Sequence, residues 1–517
     1  MQEAASRAVE TEYVREIPYP RRFIPQLGPS QLRLVAAMNG FATPPDDDFD
    51  YCELGCGNGD TLGILAAANP HARFVGVDFN ADHVACARAL AARGKLSNLR
   101  VLLASFADLA QEDLPQLDFI VAHGVLSWVG PETVADVLAF ARAKLKPGGL
   151  LYVSYNVLPS WAAIEPLRRL MLDGTAGVRG GSLERAKKGL ELAQRLCDAG
   201  AGYFVNHPTA KSMLALMRAA GLPYVVHEYF NAHLRPMYFA DVAQDMDEHG
   251  LTFAGQLPLH LNVPELSIPP SIRKIGATVQ DRVALETLKD FGTNELFRTE
   301  VYVRGRVERS VPRMRAFFER TRFGTTAPAA QIKREVRLPF VTVEYKGPVY
   351  DAILASLRGG PASAEELAER PELAGLGQER IGDCFRNLAL GGQLVPMRDA
   401  PAPSSAGEQL ALADPYNEVA LDEALSGEGP LVLASPATGT GVHVSLLEAL
   451  AIKLATGVEP AQHAAWLREY AGKQTMPIRV GDRKINDAAE LTRVVQRDLE
   501  RLSVMAPQLR ALGVLAG

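Results

Sequence analysis

An α/β fold built on a parallel, doubly wound sheet is predicted for residues 50–156, on three observations. Short β-branched or apolar runs recur, FDYCELG, RFVGVDF, LRVLLAS, LDFIVAHG and GGLLYVSYN, and end in turn residues. Between them, GDTLGILAAANP, ADHVACARALAARG and PETVADVLAFARAKLKPGG place apolar residues at helical spacing. Two of these segments close on Gly, or on Pro followed by Gly, as helix ends do. Regular strand–helix alternation requires crossover connections and hence parallel strands. In such sheets ligands bind at the carboxyl ends of the strands, which is where the polar oddities of this sequence fall.

The bulk numbers set the frame. At 517 residues the chain exceeds one core, so about two to four domains are expected. Hydrophobic residues at 47% and charged residues at 22% suit a globular chain. A net charge of -6 disfavours general affinity for nucleic acid or anionic membrane. Cys52, Cys56, Cys86, Cys197 and Cys384 are too scattered for a disulfide framework. Cys52 and Cys56 are spaced like half a metal site, yet no second Cys/His pair stands nearby, so buried free thiols and no metal are expected. MQEAASRAVETEYVREIPYP lacks an apolar targeting core, and no stretch reaches the ~18 apolar residues of a membrane span. A cytoplasmic protein is expected.

The stretch YCELGCGNGD, Tyr51 to Asp60, decides the ligand. A dinucleotide fingerprint wants a third glycine where Asp60 stands, and a Walker loop wants Gly-Lys-Ser/Thr, which does not follow. What remains is acid-x-Gly-x-Gly-x-Gly: Glu53, Gly55, Gly57 and Gly59. Bare main chain lets a ligand approach closely, and an acid at the lip suits an ammonium or a sulfonium better than a pyrophosphate. At the end of the second strand, 19 residues after Gly59, stands Asp78, placed to accept hydrogen bonds from ribose hydroxyls. LKPGGLL, Leu145 to Leu151, leads into the fifth strand.

Loop, Asp78 and KPGG in this order and spacing resemble the class I S-adenosylmethionine-dependent methyltransferases, with their Rossmann-like, seven-stranded domain. The resemblance implies S-adenosylmethionine as cofactor and S-adenosylhomocysteine as product. It implies that Glu53, Gly55, Cys56, Gly57 and Gly59 hold the methionine end, and Asp78 and Phe79 the ribose side. A polar side chain after the third strand usually reads the adenine amine in this family. Here LLASFADL offers Ser105 in place of the common acid, with Phe106 as a packing surface. His123, after the fourth strand, completes the cofactor set.

Longer stretches narrow the family. VAHGVLSWV (Val121–Val129), YVSYNVLPSW (Tyr152–Trp161), HEYFNAHLRPMYFADV (His227–Val242) and EIPYPRRFIPQLGPSQL (Glu16–Leu32) look like the methyltransferases that carry a methyltransferase regulatory domain. The best-known members are rickettsial protein-lysine methyltransferases acting on outer membrane proteins. The similarity runs over roughly the first 310 residues, with Ser160 where the pattern would put glycine.

Methyl transfer is an in-line displacement at a sulfonium carbon, so alignment and exclusion of water are the enzyme's main tasks. A lysine ammonium, with an ordinary pKa of about 10.4, must first lose a proton, which desolvation favours. His123, Tyr155 and Asn156 are the catalytic candidates. Two have a plainer reading: a strand-end hydrogen bond for His123 and a helix cap for Asn156; Tyr155 is read as a substrate contact. Tyr19, Trp128, Tyr229 and His233 are the substrate-side candidates, with loop packing or a structural turn as the alternative. Tyr13, Tyr19 and Arg21 belong to an N-terminal segment that either folds over the cofactor or packs on the sheet.

Beyond the fifth strand, FADVAQDMDEHGLTFAGQ reads as helix, Gly250 and a sixth strand at Leu251–Gly255, and FRTEVYVRG as the seventh at Phe297–Gly305. Residues 160–235 and 256–296 then become helical inserts on a methyltransferase domain spanning 1–310, forming a substrate cover or a subunit interface such as a homodimer's. From Arg304 to Arg337, 10 basic residues face three acids (Glu308, Glu319, Glu335), a solvated face or a dock for an acidic stretch of substrate. Three short helices and a two-strand hint from Val349 to Met397 outline a winged-helix-like middle domain, 311–400. It lacks a basic recognition helix, so protein contact is preferred to DNA. APAPSSAGEQ is a linker, and 410–517 forms a mostly helical C-terminal domain in which SGEGPLVLASPATGTG is loop-rich.

Three functions follow. The first is a methyltransferase with a protein-lysine acceptor, the second a small-molecule biosynthetic methyltransferase, and the third a cofactor-binding regulatory or scaffold protein. A long open groove suits the first, and a closed pocket of roughly 300–1,000 Å³ the second.

Overall fold

The computed structural model describes residues 21–516 apart from 232, 328–330, 400–409, 475–477, 481, 482 and 486. Seven strands make one mixed sheet: β1 (Asp50–Leu54), β2 (Arg73–Asp78), β3 (Leu99–Leu103), β4 (Leu117–Ala122), β5 (Leu145–Asn156), β6 (Leu251–Gln256) and β7 (Phe297–Arg304). Their order is β3-β2-β1-β4-β5-β7-β6. β1 and β3 flank β2 in parallel, whereas β7 runs antiparallel to both β5 and β6. The seven-stranded, Rossmann-like expectation holds, including its antiparallel last strand. Two compact units divide the chain: Arg21–Leu103, Leu117–Phe119 and Glu308–Gly517 in one, Ala104–Gln116 and Ile120–Val307 in the other.

The first unit contains helices α1 (Pro29–Met38), α2 (Asp60–Ala68) and α3 (Ala81–Arg93). Every residue of β1 is buried, because layers cover both faces of this part of the sheet. Phe49 packs edge-on against Phe74 and Phe119 at 5.8 and 5.2 Å between ring centres. α2, DTLGILAAA, is buried on all sides, as a helix with no polar stripe must be. α3 starts where Asn80 Oδ1 accepts the Asp82 N–H at 2.9 Å, a side-chain cap for an otherwise orphaned donor.

The second unit carries α4 (Pro131–Lys144) and then the helices expected between the fifth and sixth strands: α5 (Glu165–Asp173), α6 (Ser182–Asp198), α7 (Gly202–Asn206), α8 (Pro208–Ala220) and α9 (Leu222–Tyr229). These five have a core of their own that includes Trp161, Leu167, Met171, Leu190, Leu214 and Tyr229. The amphipathic pattern of α6 explains its place there: Ala186, Gly189, Leu190 and Ala193 are buried at helical spacing. α10 (Phe239–Glu248), α11 (Pro264–Ser267), α12 (Arg273–Gly276) and α13 (Arg282–Thr293) follow.

Beside β7 lies a buried cluster of charges. The Arg298 guanidinium donates to Glu300, to Asp290 at 2.6 Å and to Glu286 at 3.1 Å, and lies 4.1 Å over the Phe239 ring. Lys289 Nζ donates to Glu286 at 2.9 Å, and Tyr302 donates to Glu300 at 2.7 Å. Two cations face three carboxylates, and burial pushes the Asp290 carboxyl up to about 7 against the pull of Arg298. Breaking any one member leaves a partner charge without compensation, typically a cost of ~3–5 kcal/mol.

The remainder of the first unit begins with α14 (Val311–Arg320), β8 (Phe323–Gly324), β9 (Glu335–Arg337) and β10 (Thr342–Glu344), then α15 (Pro348–Ser356), α16 (Ala364–Ala368), α17 (Gly377–Leu390) and β11 (Val395–Pro396). The three short helices are present, and β11 pairs antiparallel with β8, which precedes them. Most basic side chains of the stretch from Arg304 are exposed, as a solvated face requires, yet several find partners within the first unit. Arg315, Arg320 and Arg334 pair with Glu379, Glu365 and Asp351, while Arg309 and Arg313 donate to the carbonyls of Asn39 and Gly40.

The C-terminal region comprises α18 (Pro415–Ser426), β12 (Val432–Ser435), β13 (Thr440–His443), α19 (Leu446–Gly457), α20 (His463–Lys473) and α21 (Ala488–Ala511). The loop-rich SGEGPLVLASPATGTG nevertheless carries two short strands. β12 and β13 form an antiparallel hairpin turned at Gly439, whose φ of 63° lies in the left-handed region that suits glycine. Among the described residues no helix is long and apolar enough to cross a membrane.

Candidate functional site

The glycine loop leaves β1 and turns back on β2, with the N–H groups of Gly55 and Cys56 both donating to the Val77 carbonyl at 2.8 and 3.0 Å. Gly57 and Gly59 adopt φ of 53° and 79°, where a β-carbon costs energy. Their surroundings differ. A β-carbon at Gly57 would meet nothing within 4 Å, whereas at Gly59 it would come within 2.7 Å of Ala87 Cβ on α3. Gly57 thus keeps open space beside bare main chain, and Gly59 keeps the loop tight on its neighbour.

Asp78, at the end of β2, ties this loop down. Its carboxylate accepts the Gly57 N–H and the Asn80 N–H, each at 2.9 Å, and lies 3.4 Å from His83 Nδ1. Phe79 follows and is half-buried. Glu53 is only 5% exposed, and its Oε2 has no hydrogen-bond partner among the described residues. Burial, reinforced by the charges of Asp78 and Asp60, pushes its carboxyl up to about 8. An orphaned buried acceptor beside open main chain fits a cationic ligand group such as an ammonium, which would complete its hydrogen bonding and favour its ionised form. Burial also pushes the Cys52 and Cys56 thiols up, leaving neutral buried thiols.

In the other unit, Ser105 and Phe106 follow β3. The Ser105 hydroxyl donates to Asp108 Oδ2 at 2.6 Å, and Phe106 is half-buried. An acid, Asp108, thus stands three residues after position 105, bonded to the serine.

At the end of β4, His123 Nδ1 lies 3.0 Å from the Tyr152 hydroxyl and 3.1 Å from Ser154 Oγ, both on β5. Ser154 Oγ also accepts the Gly124 N–H at 2.8 Å, and Ser127 Oγ accepts the Asn156 N–H at 2.8 Å. Two serines therefore lace the loop after β4 to the strand beside it. Burial lowers the His123 imidazole to about 4, so the ring is neutral near pH 7. Phe297 meets this ring edge-on at 6.0 Å, and Asn156, 6% exposed, has an Nδ2 with no hydrogen-bond partner among the described residues. Trp128 is half-buried in the same loop.

Tyr155 does not join this group. Strand alternation puts it on the opposite face of β5 from Tyr152-level neighbours Ser154 and Asn156, and in register with Arg298 of β7. Burial and the Glu300 charge raise its phenol well above the ordinary tyrosine value. Its setting is the charge cluster.

Among the substrate-side candidates, Tyr229 lies in the core of the inserted helices, stacked on Trp161 at 5.9 Å, its hydroxyl 3.6 Å from Met213 Sδ. His233 is half-buried in the segment leading to Met237. That segment reaches the strand ends: Arg235 N donates to the Ser127 carbonyl at 2.9 Å and Met237 N to the Asn156 carbonyl at 3.0 Å. Tyr13 and Tyr19 lie outside the described residues. A cleft of about 800 Å³ among the inserted helices, lined by Lys187, Arg195, Arg218 and Leu222, contains none of the candidate residues.

Comparison with known proteins agrees with this geometry. A family model described as "Methyltransferase domain" matches residues 52–151, and one described as "Predicted methyltransferase regulatory domain" matches 222–304. The latter span contains the whole Arg298 charge cluster. The protein sll1526 of Synechocystis sp. is 31% identical over 439 residues, 85% of this chain and 86% of that one. Trans-aconitate 2-methyltransferase of Methylobacterium radiotolerans is 35% identical over 119 residues, 23% of this chain and 41% of that one. PKMT2 from Rickettsia typhi, solved in complex with AdoHcy, shares the fold at a TM-score of 0.71 and 19% identity, over 97% of this chain and 100% of that one. Likeness to sll1526 in sequence and to PKMT2 in fold thus both extend well past residue 310, further than the motifs of the sequence suggested. With glycine loop, Asp78, sheet order and regulatory span all in place, the chain belongs to the class I S-adenosylmethionine-dependent methyltransferases that carry a methyltransferase regulatory domain.

Proposed function

We propose that this methyltransferase acts on lysine side chains of protein. The observation that carries the reading is the likeness of fold to PKMT2 over nearly the whole chain, inserted helices and C-terminal region included, together with the sequence resemblance to rickettsial protein-lysine methyltransferases. The bound cofactor supplies an electrophilic methyl group on a sulfonium sulfur. Glu53 and the main chain of Gly55–Gly59 would hold its amino-acid end, and Asp78 and Phe79 its ribose side.

The acceptor amine must arrive neutral. A base whose conjugate acid has a pKa of about 4 falls about six pH units short of a lysine ammonium, an uphill transfer of roughly 9 kcal/mol. His123 is therefore read as a positioning residue, with the two hydroxyls holding its ring. Desolvation lowers the amine's own pKa and the proton leaves to water. The orphaned Asn156 Nδ2 and the Trp128 side chain are the acceptor-side groups, and the middle region is read as a winged-helix-like protein-contact module. Five free cysteines suit a reducing, cytoplasmic setting.

A small-molecule acceptor is the second reading, favoured by the local identity to trans-aconitate 2-methyltransferase. Incubation of the full chain with methyl-labelled S-adenosylmethionine and cell lysate, followed by protein hydrolysis, separates the two. Label in methyl-lysine supports the proposal. Label confined to low-mass compounds overturns it in favour of the second.

A further inference from the structure

The C-terminal region meets the cofactor half through one chain of contacts that ends beside the glycine loop. Asp60 is the first residue of α2 and directly follows Gly59. Arg21 Nε donates to both Asp60 oxygens at 2.9 and 3.1 Å, and Arg21 Nη2 donates to Oδ1 at 2.6 Å. Its remaining nitrogen, Nη1, donates to Glu423 on α18. Glu423 also accepts from Arg93 Nη1, at the end of α3, at 2.5 Å. Charges alternate along the whole line, Asp60, Arg21, Glu423, Arg93, and the two carboxylates are largely buried, where salt screens little.

Packing follows the same route. A β-carbon at Gly63 of α2 would come within 2.5 Å of the Tyr416 hydroxyl, and one at Gly94, after α3, within 2.4 Å of the Tyr416 ring. The ring of α18 thus fills a notch made by two absent side chains. Thr61 adds a further link, its Oγ1 accepting the Ile24 N–H at 3.0 Å. A β-carbon at Gly59 would strike Ala87, so the exit of the loop runs close to α3 while Asp60 and Thr61 tie it to Arg21 and Ile24.

We infer that Arg21, Glu423 and Tyr416 are positioning residues for the cofactor loop, through which the C-terminal region sets the placement of Gly57, Gly59 and Asp60. This rests on the reading that the Gly55–Gly59 loop holds the cofactor. The geometry makes Arg21 the hub: it is bidentate on the residue that ends the loop and bonded to the helix that carries Tyr416. It also compensates the charge of Asp60, which together with that of Asp78 disfavours the ionised form of Glu53.

The test is calorimetric titration of the full-length protein with S-adenosylhomocysteine between pH 6 and 9, with melting temperatures recorded alongside. Arg21→Gln should weaken binding about tenfold or more, the worth of one charge-assisted hydrogen bond. Its binding should also require a higher pH, because the uncompensated Asp60 makes Glu53 harder to ionise. Glu423→Gln should weaken binding several-fold in a chain that still melts cooperatively, and Arg21→Lys, which keeps the charge but not the fork, should recover only part of the loss. Unchanged affinity and pH profile in the folded Arg21 and Glu423 variants would overturn the inference even if their melting temperatures fall. A wild-type chain that binds no S-adenosylhomocysteine would overturn the cofactor reading itself, and the inference with it.

Discussion

The Asp78 carboxylate accepts the Gly57 N–H at 2.9 Å, so the residue assigned to the ribose also fixes the loop that would hold the methionine end. A carboxylate has about four acceptor sites, and Asp78 therefore retains capacity for sugar hydroxyls while bonded to Gly57 and Asn80. On the proposed reading, loop and sugar contacts would be coupled through one side chain.

Asp78→Ala should accordingly weaken S-adenosylhomocysteine binding at least about tenfold, from two ribose hydrogen bonds at ~1 kcal/mol each plus the freed loop. Asp78→Asn keeps the size but replaces one acceptor oxygen with a donor, and an intermediate loss is expected. Titration calorimetry gives both values. Wild-type affinity in the alanine variant would show that the ribose sits elsewhere.

His123 should leave no mark on the rate profile between pH 6 and 7. Burial lowers its pKa to about 4, so it carries no charge change there. His123→Gln is expected to reduce kcat/KM about tenfold, as for loss of a positioning hydrogen bond or two, while the shape of the pH profile is unchanged. A limb near pH 6.5 that vanishes in the variant would identify the ring as a proton acceptor instead.

Stability should fall as pH rises from about 4 towards neutrality, with Asp290 as one source. Its folded-state carboxyl is raised from 3.8 to about 7, so the fold retains a proton that the unfolded chain releases. The resulting stabilisation is complete at pH below about 4 and disappears as pH climbs through 7. Thermal melts from pH 5 to 8 should show a decline that is shallower in Asp290→Asn. An equal slope in both proteins would place the titrating group elsewhere.

Much of the sheet could be read from the sequence because the signal is local. Apolar runs such as RFVGVDF and the helical pattern of ADHVACARALAARG need no distant partner to be recognised. Glu53 and Asp78 were legible for the same reason, being fixed to strand ends by short spacing. What depends on register was not. Ser127 and Ser154 look like any serines until β4 and β5 are aligned, and Tyr155 differs from Asn156 only in which face of β5 it occupies. The Arg298 cluster gathers residues from Phe239 to Tyr302, so no window of sequence displays it. The β12–β13 hairpin was missed because PLVLAS is short and flanked by turn-forming residues that dominate its composition.

The notch occupied by Tyr416 has a consequence for how such chains can change. Neither Gly63 nor Gly94 can gain a methyl group while the aromatic ring remains, and loss of the ring alone would open a void between two helices. Any exchange of the tail between relatives must therefore carry all three positions as one heritable set, or the transplanted piece will not seat.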